Sequence, residues 1–293
     1  MNKLRAYRGV IPATLVITLF MVLPLLIVVT YSFMEASPYG GVRLNFSTEA
    51  YTRLLYEKNL FDEMVFNSAY IQIFFRSVWI AIVSVVTCLI VGFPVAYYIA
   101  MQPAERRNIL VLLITIPFWT NLLVRTYCWI LVLRDTGLVN GMLLNMGIIS
   151  EPVTLLYTEG AIVLGLVYTY IPFMILPIYA ALERLDVRLI EAARDLYCTR
   201  WTALRHVVLP LSAPGIAAGS ILVFIPSLGA FIAPELLGGG KNLMLGSLVQ
   251  LQFSSARNWP FGAALSVVIL IIVLLVLLAY ARQARKNGGG LSH

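Results

Sequence analysis

The residues of this chain that could do chemistry are few, and their spacing argues against making or breaking bonds. An enzyme working inside a bilayer needs a nucleophile and a base converging at one depth, such as a His/Asp cluster or a Ser/His or Ser/Lys pair. The only histidines, His206 and His293, lie outside the long apolar runs, and those runs hold no carboxylate. Cys88, Cys128 and Cys198 are odd in number, widely spaced and without a C-x-x-C pair, so neither a disulfide framework nor a metal site follows. Gly238-Gly239-Gly240-Lys241-Asn242 invites comparison with a phosphate-binding loop, but G-x-x-x-x-G-K-[ST] would require glycine at Glu235 and a hydroxyl at Asn242. A tight turn is the better reading. If ATP drives this protein, a separate chain must bind it with Mg and hydrolyse it, and no cofactor is expected in this one.

What remains is mechanical and lies in one charge-dense segment, residues 183–206 running into Val207-Val208-Leu209-Pro210. Asp186 can cap a helix start, Leu185, Leu189, Ala192, Ala193 and Leu196 recur at helical spacing, and Arg188, Glu191, Arg194 and Asp195 occupy the other positions. By pattern alone, such a short amphipathic helix suits either a groove on another protein or a bed of anionic lipid headgroups.

The elements that must hold this segment are membrane helices. Of 293 residues, 60% are hydrophobic and 12% charged, against about 45–50% and about 25% in soluble domains. Uncharged stretches cover residues 9–34, 77–104, 108–124, 160–182, 207–234 and 258–281. Each can hold a span of roughly 20 residues, which at about 1.5 Å per residue crosses a core about 30 Å thick. The third is the shortest and continues past Arg125 to Leu133, which predicts that Arg125 snorkels to an interface. The first follows Lys3, Arg5 and Arg8 but, at residues 10–33, exceeds the about 7–15 residues of a cleaved signal, so it reads as an anchor.

More than half of the 21 lysines and arginines fall in the amino tail, beside Arg106 and Arg107, in the 183–206 segment and at Arg282, Arg285 and Lys286. This bias predicts six spans with both termini cytoplasmic. It also accounts for the net charge of +7 without a nucleic-acid partner. Residues 34–76 read as an ordered outer segment and residues 283–293 as a flexible cytoplasmic tail. Gly215-x-x-x-Gly219 has the spacing for close helix contact.

Glu191-Ala192-Ala193 followed by Val207-x-Leu209-Pro210 resembles the EAA signature of ABC-importer permeases. The resemblance extends from the second span to the sixth and is strongest to the spermidine/putrescine (PotB-type) permeases. It rests on Pro117-Phe118-Trp119-Thr120-Asn121-Leu122-Leu123-Val124-Arg125, Tyr170-Ile171-Pro172-Phe173-Met174-Ile175-Leu176-Pro177, residues 191–196, and Asn258-Trp259-Pro260-Phe261-Gly262. It implies an all-α, multi-pass protein of the bacterial inner membrane with the type I ABC-importer permease fold. Residues 1–68 would form the first helix and outer segment, and residues 69–282 a permease core of five helices with a coupling loop at 183–210. Glu191, Ala192, Ala193, Arg194, Asp195, Leu196, Leu209 and Pro210 would then engage an ATPase. The implied partners are a second permease subunit in a heterodimer, two ATPase subunits and a periplasmic solute-binding protein, besides membrane lipid. One position departs from the signature: the glycine usual six residues after the glutamate is Tyr197 here. Glycine would turn left-handed at little cost, so tyrosine is expected to make the turn differently.

A cation crossing hydrocarbon needs oxygens and aromatic faces in place of water. Trp119, Asn121, Tyr168, Tyr170, Phe224, Ser227 and Phe231 cluster near prolines 117, 172, 177 and 226, with Glu235 toward the outer mouth, and together form the candidate path. The function implied is a permease subunit for a small organic cation, polyamine first. An opine or aminophosphonate permease is the alternative within the class, and an intramembrane enzyme the rival outside it.

Overall fold

A computed structural model describes residues 12–58, 64–195 and 197–288. Lys3, Arg5 and Arg8, together with residues 289–293 of the tail, lie outside these. Among the described residues, five single helices are long and apolar enough to cross a membrane: α1 (Pro12–Ser32), α3 (Ala69–Ala100), α7 (Glu159–Glu183), a span over Arg200–Gly229, and the apolar part of α13 (Trp259–Gly288). A bent pair, Ala104–Trp119 with Leu122–Asn145, makes a sixth if its two halves form one span. The helix of α13 continues through Gly288, well into the segment read from sequence as tail.

The third span is not continuous, contrary to the sequence reading. Helix α4 (Ala104–Thr115) passes into a 3-10 turn at Ile116–Trp119, and α5 (Leu122–Leu133) starts again, with a bend of 87° between the two halves of the span. Pro117 contributes no N–H to the ladder, and Thr120 and Asn121 are extended, with ψ of 149 and 133°. The Asn121 side-chain carbonyl then caps α5 by accepting from the Leu123 N–H at 2.8 Å.

By compactness the chain divides into two units, Met1–Gln72 with Leu248–Ile272, and Ile73–Ser247 with Val273–His293. In the first, the described residues that follow α1 form short strands and a helix. Antiparallel ribbons β1–β2 (Met34–Ala36, Val42–Phe46) and β3–β4 (Tyr56–Lys58, Met64–Phe66) flank the short helix α2 (Glu49–Thr52). Phe33 stacks on Phe46 and tilts against Tyr51, whose hydroxyl meets Ser32 Oγ at 2.8 Å. This fastens the ribbon to the outer end of α1.

The second unit is organised around α7. The loop after it carries α8 (Val187–Asp195) and α9 (Arg200–Ala203), followed by a π-helical turn at Leu204–Val208 and α10 (Leu209–Gly229). Helix α11 (Ile232–Gly238) completes the fifth span, and Gly239 and Gly240 take φ of 64 and 73° in the turn expected there. Lipid is as apolar as leucine, so helices in it associate through close van der Waals approach, which small residues permit. A Cβ on Gly215 would lie 2.5 Å from the Pro177 carbonyl oxygen and 2.7 Å from Ala181 Cβ, and one on Gly219 would lie 3.0 Å from Met174 Sδ. The spaced glycines are therefore the seam between α7 and α10. Cys88 is buried beside that seam, whereas Cys128 is exposed and Cys198 half-buried.

Replacing Gly215 with leucine should destabilise the folded protein by about 2 kcal/mol or more through overpacking. Gly141→Ala, which meets no atom within 4 Å and lies inside a helix at Leu138–Asn145, should raise the unfolding temperature slightly, by the about 0.5–1 kcal/mol that glycine costs a helix interior. Thermal unfolding in detergent measures both.

Candidate functional site

Helix α8 forms where the sequence places it. The Asp186 carboxylate accepts from the Arg188 N–H at 3.0 Å and the Asp186 carbonyl accepts from the Leu189 N–H at 3.0 Å, so the start is capped. At the other end the Cys198 N–H donates to the Ala193 carbonyl at 3.1 Å across Tyr197, whose φ is 58°. That is a Schellman closure with tyrosine in the left-handed position glycine usually takes. The expectation that Tyr197 would turn differently is thus corrected: it makes the same turn and bears the strain. Its ring is 97% exposed, so the side chain meets no wall that would oppose the backbone.

Glu191, Ala192 and Asp195 are exposed and Ala193 is half-buried, while Leu196 lies outside the described residues. Arg194 sits within the helix. Leu209 and Pro210 are exposed at the start of α10. The base of the loop is anchored: Leu182 and Val208 are 1% exposed and pack with Ile178 and Met174, with Leu185 and Leu204 against them. Arg107 NH2 lies 3.4 Å from the Glu183 carboxylate and ties the preceding basic loop to the same base. A short helix with exposed acids, exposed Leu189, Tyr197 and Trp201, and a rooted base can pass a push into α7 and α10.

Among the candidate path residues, the structure brings together only some. A cavity of about 150 Å³ is lined by Leu122, Thr169, Tyr170, Pro226, Gly229 and Phe231, among others. The Tyr170 hydroxyl donates to the Pro226 carbonyl at 3.4 Å. Helix α10 ends here at Gly229 and α11 begins after Phe231, so last-turn carbonyls, which carry the negative end of the helix dipole, border the cavity. Gly246 lets another backbone approach that end, because a Cβ there would run into the carbonyls of Gly229 and Ala230.

The other candidates sit elsewhere. Trp119 and Asn121 lie at the break of the third span, the first exposed and the second occupied as a cap. Tyr168 packs on Trp129 with 5.6 Å between centroids and carries the Arg125 guanidinium 6.0 Å over its ring. Arg125 itself is half-buried, and its Nε is buried with no hydrogen-bond partner among the described residues. Ser227 is fully buried and donates to the Val223 carbonyl at 2.7 Å, which withdraws it from any path. Phe224 lines a separate apolar cleft with Val85 and Ile221, and Glu235 is exposed on α11 without lining the cavity. Thr169 and the carbonyls of the α10 terminus were missed, because a backbone oxygen freed by a helix break leaves no mark in residue type.

Comparison with known proteins gives a consistent result. The family described as binding-protein-dependent transport system inner membrane component matches residues 5–287. The spermidine/putrescine transport system permease protein PotB of Salmonella typhi is 36% identical over 287 residues, 97% of this chain and 96% of that protein. Its namesake from Escherichia coli (strain K12) is 37% identical over 269 residues, covering 92% and 94%. Among solved structures, a chain of a bacterial alginate ABC transporter, in complex with its alginate pentasaccharide-bound periplasmic protein, superposes with a TM-score of 0.75 at 15% identity, covering 97% of this chain and 95% of that one. That likeness shows the fold, shared with a chain of an ABC transporter.

The strained turn makes a specific prediction. Tyr197→Gly removes a left-handed penalty of about 1–2 kcal/mol, partly offset by the roughly 0.5–1 kcal/mol of backbone freedom glycine loses. Hydrogen exchange at the Cys198 amide should slow about twofold or more, and Tyr197→Val should speed it.

Proposed function

The chain belongs to the family of binding-protein-dependent transport system inner membrane components, and from that membership we propose that it forms one half of a translocation path for polyamines of the spermidine and putrescine class. It is a multi-pass subunit of an ABC importer in the bacterial inner membrane, a transport subunit and not an enzyme. The names of relatives alike over nearly the whole chain support the polyamine substrate. The importer has further subunits: in this reading, a second permease chain, a pair of ATPase subunits that hold ATP and Mg, and a periplasmic binding protein.

The observation that carries the mechanism is the capped, exposed helix α8 on a base rooted in α7 and α10. Closure of the ATPase pair would press on Glu191 and its neighbours. The load would enter both spans at once and rock them, because the two helices share a close-packed seam. Polyamine ammonium groups would meet the α10 carbonyl terminus and the faces of Tyr170 and Phe231. A path of dipoles and π-faces without a carboxylate binds weakly enough to release its cargo.

Glu191→Lys should leave the complex assembled in the membrane while ATP hydrolysis stimulated by loaded binding protein falls to the unstimulated rate; normal stimulation rules the coupling assignment out. Phe231→Ala should raise the spermidine concentration for half-maximal uptake about two- to fivefold, the size of a cation–π contact of ~0.5–1 kcal/mol. Uptake of an opine or aminophosphonate in place of spermidine by the parent complex would overturn the substrate.

A further inference from the structure

The outer cap contains a second, larger cavity, of about 630 Å³, which the path does not use. It is walled by the turn after β1, by Arg53 at the end of α2, and by Arg257 and Asn258 between α12 (Leu245–Phe253) and α13. No carboxylate is among its described lining residues. Neither guanidinium has an ion-pair or hydrogen-bond partner among the described residues. Gln252, only 8% exposed, also lines it with no hydrogen-bond partner there. Both arginines are exposed, so water serves their guanidiniums here, and together with the Gln252 amide they form a cluster of donors open to an incoming acceptor.

The backbone holds this set in place. Arg257 takes a φ of 51°, unusual for a side chain with a Cβ. The turn at 37–41 clamps it: the Gly41 N–H donates to the Arg257 carbonyl at 3.3 Å, and a Cβ on Gly40 would lie 3.0 Å from Arg257 Cβ. Asn258 fixes the next residue by accepting from the Phe261 N–H at 3.2 Å, starting α13. Strain of this kind persists where the surroundings over-determine it, and here they aim one guanidinium.

We propose that this cavity is a socket for a carboxylate side chain of the periplasmic binding protein, gripped by Arg53 and Arg257 with Gln252 as an additional donor. The inference rests on the permease reading, which sets the cap on the periplasmic side and supplies that partner. Charge complementarity selects the occupant: planar guanidiniums match a carboxylate two bonds at a time. Arg53 and Arg257 both sit on segments that connect spans, which favours a protein carboxylate over a lipid headgroup.

The test uses the whole importer in phosphatidylcholine nanodiscs, titrated with spermidine-loaded binding protein while ATP hydrolysis is followed. For Arg53→Gln with Arg257→Gln, half-maximal stimulation should need about tenfold more binding protein, with unstimulated and maximal rates unchanged and a flatter dependence on salt than the parent. Arg53→Lys with Arg257→Lys should fall between, and it carries the test if the glutamine variant does not assemble. An unchanged titration, with the parent stimulated normally, overturns the socket and leaves the permease reading intact. A parent that no loaded binding protein stimulates overturns the permease reading itself. A shift that appears only when phosphatidylglycerol is added assigns the arginines to lipid and also overturns the socket.

Discussion

In hydrocarbon, two helices gain nothing by hiding apolar surface from a solvent that is itself apolar, so α7 and α10 hold together by how closely their backbones approach. Gly215 and Gly219 permit that approach against Pro177, Ile178, Ala181 and Met174. Much of the second unit hangs on the seam. The loop bearing α8 leaves the end of α7 at Glu183 and returns into α10 at Leu209, while the cavity is lined by Thr169 and Tyr170 of one helix and Pro226 and Gly229 of the other. One tightly packed pair thus carries the exposed helix α8 at one end and cavity-lining residues further along. Packed interfaces switch between discrete arrangements more readily than they stretch, as the proposed rocking of this pair requires.

The broken elements do complementary work. The bend after Trp119 and the gap between α10 and α11 free backbone groups at membrane depth, which is tolerated only where the backbone is buried in protein or lines a cavity. At the α10 end those freed groups are carbonyls, the polarity that a cation requires. The fold supplies this partial charge without ionised side chains, whose desolvation would be costly and whose grip would slow release.

Helix α8 was readable almost residue by residue, because capping and amphipathic spacing are local properties: Asp186 caps, and Glu191 and Asp195 face out. The small-residue seam was readable for a similar reason, since few uses of Gly-x-x-x-Gly in a span compete with close packing. Tyr197 was misread because residue preference describes averages. Its left-handed turn is enforced by the hydrogen bond from Cys198 to Ala193, and an exposed ring opposes it little. How sharply the third span breaks was not readable, because Pro117 signals a kink without specifying how far the chain travels before Asn121 restarts the helix.

What the sequence determined by itself is the solvent, the apolar runs long enough to cross it and the short amphipathic helix between α7 and α10, since hydropathy and helix caps act over one or two dozen residues at most. Which aromatics share a cavity was decided only by tertiary structure. Tyr170 and Phe231 meet because two spans pack and one of them breaks, whereas Ser227, four residues from Phe231, turns inward to its own helix. Residues far apart in the chain become neighbours through the sum of many weak contacts, and no short window of sequence contains that sum.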